Sequence, residues 1–159
     1  MGSFPVRRTT RRGVERRCVL FTVGYERRSV EEMVEALRDA GVRVLLDVRE
    51  LPLSRRRGFS KTRLSQAVHD AGLGYEHVRS LGNPKPLRQL YMAGELQRGA
   101  DAYGRHLRST SRDALLELAS RADEGICLLC VEHDHERCHR AVIVDALREV
   151  RGDLAVTHL

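Results

Sequence analysis

Two short motifs near the C-terminal end of the chain, Cys130-Val131-Glu132 and Cys138-His139-Arg140, bring together two thiols, a carboxylate, an imidazole and a guanidinium. The apolar run from Ile126 to Val131 reads as a buried strand, and apolar residues recur at helical spacing from Ala141 to Val150. Cys138, His139 and Arg140 therefore stand where a loop enters a helix. The free N–H groups and positive dipole end of a helix start bind anions and favour a thiolate over a thiol.

Each of these groups admits two roles. Cys138 is either an activated nucleophile or a structural thiol; His139 is adjacent to it, but neighbouring side chains usually point apart, so His139 need not be its base. Glu132 follows an apolar strand, and partial burial would raise its pKa and suit it to proton transfer. Its structural alternative is to accept hydrogen bonds from the N–H groups of the next loop. Cys18 and Cys127 sit inside apolar runs and read as inert core, with Cys130 between the two cases. Zinc is not the favoured occupant, since Cys127 and Cys130 are three apart in one strand and face opposite sides. If a metal binds, its ligands are Cys130, Cys138 and His139. A phosphatase-like or rhodanese-like thiol loop does not fit, because six residues and no glycine separate Cys130 from Arg137.

A second cluster lies at Asp47-Val48-Arg49, where a strand from Val42 to Val48 ends. Asp47 is a candidate acid or base held ionised by Arg49, or half of a structural ion pair. Arg49, Arg55 and Arg140, together with the helix start near Cys138, are the expected anion-binding set, while Arg56 and Arg57 read as solvated. No glycine-rich dinucleotide or phosphate-loop motif occurs, so no nucleotide cofactor is indicated.

The elements that must position these residues alternate in type. A strand from Cys18 to Val23 leads through Gly24-Tyr25 to a capping box, Ser29-x-x-Glu32, and a helix whose Met33, Val34 and Leu37 share a face before Gly41. Ser60 starts a helix that ends near Gly72, and a third strand spans about 75–78. A Gly-Asn-Pro-Lys-Pro loop follows Leu81, then helices over 87–107, interrupted by glycines, and 111–122. The fourth strand runs over 126–132, the last helix over 139–150 and a final strand over 155–158. Such alternation predicts a single doubly wound α/β domain over 18–159, with a mostly parallel five-stranded sheet and helices on both faces. Ligands then bind beyond the carboxyl ends of the strands, so Tyr25, Asp47, Arg49, Cys130 and Glu132 are expected to share one crevice.

The 159 residues carry a formal charge of +6, with lysine only at 61 and 85, so the basic side chains are nearly all arginine. Guanidinium groups grip phosphate and carboxylate at two points. The pairs Arg7-Arg8, Arg11-Arg12 and Arg16-Arg17 make residues 1–17 a basic, disordered arm suited to phosphate contacts. No apolar stretch reaches the ~20 residues of a membrane span, and the basic start lacks a secretory apolar segment, which points to the cytoplasm and reduced cysteines.

Taken together, Thr22-Val23-Gly24-Tyr25 with Ser29, Asp47-Val48-Arg49 with Pro52, Ser54 and Arg55, Phe59, Tyr75, Leu81-Gly82, the Cys130 and Cys138 motifs and His158 resemble the domain of unknown function 488 family. Tyr25 stands where that family often carries histidine. The resemblance implies an α/β fold with a shared polar site and brings no established reaction. The reading of the residues is an enzyme with Asp47, Glu132 and Cys138 in catalysis, Arg49, Arg55 and Arg140 on an anion, and Tyr25, Cys130 and His139 lining the site. A nucleotide or nucleic acid is the favoured substrate, by acid/base-assisted hydrolysis or transfer. The alternatives are a non-catalytic nucleic-acid-binding or ligand-sensing module and a Cys/His metal-binding protein.

Overall fold

Three apolar runs form the middle of the sheet: β1 (Val19–Gly24), β2 (Val44–Asp47) and β4 (Ile126–Cys130). The more polar β3 (Gly74–His77) and β5 (Ala155–His158) take the edges, giving the order β3-β2-β4-β1-β5 with every pairing parallel. Parallel strands need crossovers, and helices supply them on both faces. The computed structural model describes residues 19–159, so the expected basic arm, Cys18 and its place in the first strand lie outside the described residues.

On one face, α1 (Val30–Asp39) and α2 (Lys61–Asp70) bury Met33, Leu37, Leu64 and Val68 against Leu45, Cys127 and Leu129 of the sheet. On the other, α4 (Leu96–Ser109), α5 (Arg112–Arg121) and α6 (His139–Val150) bury Tyr103, Leu107, Leu118, Ile143 and Leu147 against Leu46, Leu128 and Cys130. Cys127 and Cys130 thus fall on opposite faces, as strand alternation predicts. Among the described residues, no helix is long and apolar enough to cross a membrane.

The local signals mostly act where expected. Ser29 and Glu32 close a reciprocal capping box on α1. Ser60 precedes α2, but its hydroxyl is held by the backbone of Ser54 and not by the helix. The helix expected over 87–107 is two, α3 (Lys85–Met92) and α4, because Gly94 takes a positive φ of 79° between them. β4 ends at Cys130, two residues before the expected end, which places Glu132 in the loop beyond the sheet.

Two glycines admit backbone into the region where the strands end. A Cβ on Gly24 would lie 1.8 Å from the Glu132 carbonyl oxygen, and one on Gly82 would lie 2.4 Å from the Glu50 Cα. Both contacts are with backbone, which cannot swing aside as a side-chain tip does. Gly24→Ala should therefore displace the Glu132 loop and lower stability by about 1–3 kcal/mol. Urea denaturation checks the loss; a wild-type midpoint would show that the loop does not rest on Gly24.

Candidate active site

Asp47 ends β2 fully buried, and its carboxylate is completely engaged. Oδ1 accepts from the Arg49 backbone N–H at 3.2 Å and from Arg49 Nε at 2.8 Å, while Oδ2 accepts from Arg49 Nη2 at 2.6 Å and the Tyr75 hydroxyl at 2.6 Å. Arg49 Nη1 donates to the Phe59 carbonyl at 2.8 Å and to the Tyr25 hydroxyl at 3.4 Å, and the guanidinium lies 5.3 Å from the centre of the Tyr25 ring. Burial disfavours the Arg49 charge, but its hydrogen bonds and attraction to Asp47 outweigh this and raise its pKa. The Tyr75 phenol is likewise pushed up, by burial first and then by Asp47.

The expected single crevice does not include this carboxylate. Parallel partners share a sheet face, and Asp47 lies opposite Leu129, so Cys130 projects to the other side. Alternation within each strand was read correctly, but the register between strands places Asp47 with Tyr25 and Phe59, away from Glu132. Arg55 is exposed on the 54–58 loop, and Arg140 is buried behind the site, so the expected cluster of Arg49, Arg55 and Arg140 does not form.

A cavity of about 300 Å3 opens where β2 and β4 end, on the side of α3. Arg49, Cys130, Glu132, Cys138 and His139 line it, as the sequence led us to expect. Asn83, Arg88, Tyr91 and Arg137 also line it, with Glu50 and the exposed Leu51 and Leu53. Sequence reasoning missed these because none belongs to a titratable motif. The signal was present in the Gly-Asn-Pro loop and in the three-residue spacing of Arg88 and Tyr91, which sets both on one side of α3.

The three sulfur- and nitrogen-bearing groups meet in this wall. Cys138 caps α6 in extended backbone, which turns its sulfur toward its neighbour: His139 Nδ1 is 3.6 Å from Cys138 Sγ and 3.9 Å from Cys130 Sγ. His139 Nε2 lies 2.9 Å from the Val48 carbonyl. Since a carbonyl only accepts, Nε2 carries a proton and Nδ1 faces the sulfurs. Arg140 Nε donates to Cys138 Sγ at 3.4 Å and its Nη2 donates to the Glu132 carbonyl. No carboxylate pairs with the buried Arg140 among the described residues, and its Nε–H is directed at the Cys138 sulfur.

Burial opposes charge on Cys138, but hydrogen bonding from Cys130, His139 and the charge of Arg140 outweigh it and hold this thiol well below the ordinary range. Cys130 is pushed far up, by that hydrogen bond and by burial. Burial works against the charge on His139, and the Cys138 sulfur more than offsets it. Glu132 rises to about 7, chiefly through burial and then through the nearby Cys138 charge. Cys127, on the other face, is raised by burial, consistent with an inert core thiol.

The Asp47–Arg49 pair makes a prediction about stability. Asp47→Asn leaves a buried guanidinium without its counter-charge and should cost about 3–5 kcal/mol. Tyr75→Phe, which removes one hydrogen bond to the same carboxylate, should cost about 1 kcal/mol. Equal losses in chemical denaturation would mean that the ion pair contributes no more than the phenol.

The chain matches no curated protein and no solved structure. Residues 29–147 match the family described as Domain of unknown function DUF488, a span running from the Ser29 cap through the cavity into the last turn of α6. The protein is accordingly a member of the DUF488 family.

Proposed function

We propose that the protein is an enzyme acting on a phosphate-bearing substrate, a nucleotide or a nucleic acid, by hydrolysis or group transfer with Glu132 moving the proton. One observation carries this reading. Among the described residues, the buried side-chain oxygens without a hydrogen-bond partner are Asn83 Oδ1, Tyr91 Oη and Glu132 Oε2, and all three residues line the same cavity. An unmade hydrogen bond on a buried group costs about 1–3 kcal/mol. Three such groups around one opening call for an occupant, solvent at rest and substrate in turnover.

The surrounding residues support an occupant that is part anionic and part apolar. Arg137 is exposed at the rim and has no ion-pair partner among the described residues; Arg88 stands beside it, held by Glu50 at 3.1 Å and by the Asn83 carbonyl at 3.2 Å. These two guanidiniums suit a phosphate. Leu51 and Leu53 suit an apolar, planar portion, and Asn83 and Tyr91 can read its polar edge. Glu132, part-buried at the cavity wall and with one oxygen lacking a hydrogen-bond partner, gives a proton to the leaving group or takes one from the attacking group. Asp47 takes no part in proton transfer and serves to hold Arg49 and the end of β2.

A second reading, binding without chemistry, is favoured by the loop between Leu51 and Gly58. Beyond it Arg27, Arg28, Arg56, Arg57 and Arg63 line one open groove, and Arg56 is fixed there by a hydrogen bond to the Arg28 carbonyl. Such a groove fits the backbone of a polynucleotide.

Turnover separates the two. Nucleotides and short DNA and RNA strands, incubated with the protein and examined by mass spectrometry, should yield a product whose rate falls 10²–10⁴-fold, an order-of-magnitude figure, in Glu132→Gln. Arg137→Ala should raise KM more than it lowers kcat. Strand binding with no product from any of these substrates would leave the binding module. In either case, replacing Arg56 and Arg57 together by alanine should flatten the dependence of log K on log salt by roughly 1–2.

A further inference from the structure

We propose that Cys130, Cys138 and His139 form a zinc site with three protein ligands and a fourth position open to the cavity. The inference deepens the reading above, because the same cavity receives the substrate, yet it stands on separate observations. Sγ of Cys130, Sγ of Cys138 and a ring nitrogen of His139 all lie within 4.8 Å of one another, and all three residues are buried.

The distances fit a tetrahedral ion. Bonds of about 2.3 Å to sulfur and 2.0–2.1 Å to nitrogen require ligand atoms about 3.6 Å apart for S···N and about 3.8 Å for S···S. His139 Nδ1 is 3.6 Å from one sulfur and 3.9 Å from the other. The sulfurs, within 4.8 Å of each other, need to close by about 1 Å at most.

The imidazole is already oriented for this role. Its Nε2–H is tied to the Val48 carbonyl, which leaves Nδ1 directed at the sulfurs, where an ion would bond it in place of a proton. A backbone carbonyl on the far nitrogen is the usual outer support of a metal-bound histidine. Arg140 supplies a further outer contact through its Nε–H on Cys138 Sγ. Charge also balances: two thiolates neutralise the ion, and Arg140 offsets Glu132.

Thiolate with imidazole favours zinc over magnesium or calcium, which take oxygen donors. The Glu132 carboxylate is outside the three-ligand cluster while lining the same cavity. Two protein sulfurs, one nitrogen and an open fourth position make a site of the catalytic type. Zinc there would bring a bound water toward a pKa of about 7, beside a carboxyl that can accept its proton. Cys138 is then a ligand, and the attacking group is water.

The decisive measurements use the intact wild-type chain. After dialysis against a chelator, zinc titrated in competition with a chromophoric indicator should bind at one ion per chain. Cobalt should give intense near-ultraviolet thiolate charge-transfer absorption and red d–d bands of a tetrahedral site. Alkylation of Cys138 should be slow with zinc bound and speed up after chelation. Cys127→Ser should keep the metal, and Cys138→Ser, if folded by circular dichroism, should bind it more than tenfold more weakly. Failure to take up either metal, with Cys138 alkylating at the same rate before and after chelation, would overturn the site and leave Cys138 as a nucleophile or a structural thiol. Uptake is read without turnover. A chain that binds zinc but processes no nucleotide would keep the site and lose the enzymatic reading, and the reverse result would remove only the metal.

Discussion

The buried pair of Asp47 and Arg49 holds the end of β2, and both faces of the sheet depend on it. Its polar contacts reach Tyr75 in β3, Tyr25 after β1 and the Phe59 carbonyl in the arginine-rich loop, so three separate segments converge on one charge pair. The Arg49 carbonyl adds a second tie to β3, through His77 at 2.8 Å. A carboxylate with four donors on its two oxygens has little freedom to exchange them. That saturation fixes the end of β2 against its neighbours.

Val48 lies between the paired residues, and its carbonyl carries their rigidity to the other side of the sheet. His139 Nε2 is bound to that carbonyl, which sets the ring plane and the direction of Nδ1. Tyr103, packed edge-on against the same ring at 5.0 Å, restricts it from the core side. From the opposite end of the loop, Arg140 grips both the Glu132 carbonyl and the Cys138 sulfur, and so spans the segment that carries the reactive groups. Gly24 lets this segment pass against the end of β1. His158 in β5 bonds Thr22 at 2.6 Å and stacks on His135 at 3.4 Å, pinning the outer turn of the same loop.

This network explains which parts of the molecule could be read in advance. Apolar runs, the Ser29 capping box and the periodicity of α6 are local, and the strands and helices they imply are present, with ends moved by one or two residues. The separation of Cys127 from Cys130 follows from alternation within one strand and was equally legible. The relation of Asp47 to Cys130 was not, because it depends on β2 and β4 pairing with Asp47 opposite Leu129. No property of either strand alone records that register. Arg140 was misread for a related reason: its charge suggests an exposed anion site, whereas the sulfur and carbonyl that bury it come from elsewhere in the loop. Asn83 and Tyr91 were missed because their importance lies in partners they lack, which only packing reveals.

The same logic distinguishes the three described cysteines, which composition alone treats as equivalent. Cys127 is surrounded by Leu45, Leu129 and the apolar sides of α1 and α2, where burial outweighs the attraction of Arg140 and Arg28 and raises its pKa. Cys130, one face away, lies beside the Cys138 sulfur, and that contact together with burial pushes its pKa up. Cys138 alone has both a buried guanidinium and the start of a helix directed at it. A divalent ion between the two sulfurs, as proposed for this site, would supply the positive charge that favours a second thiolate.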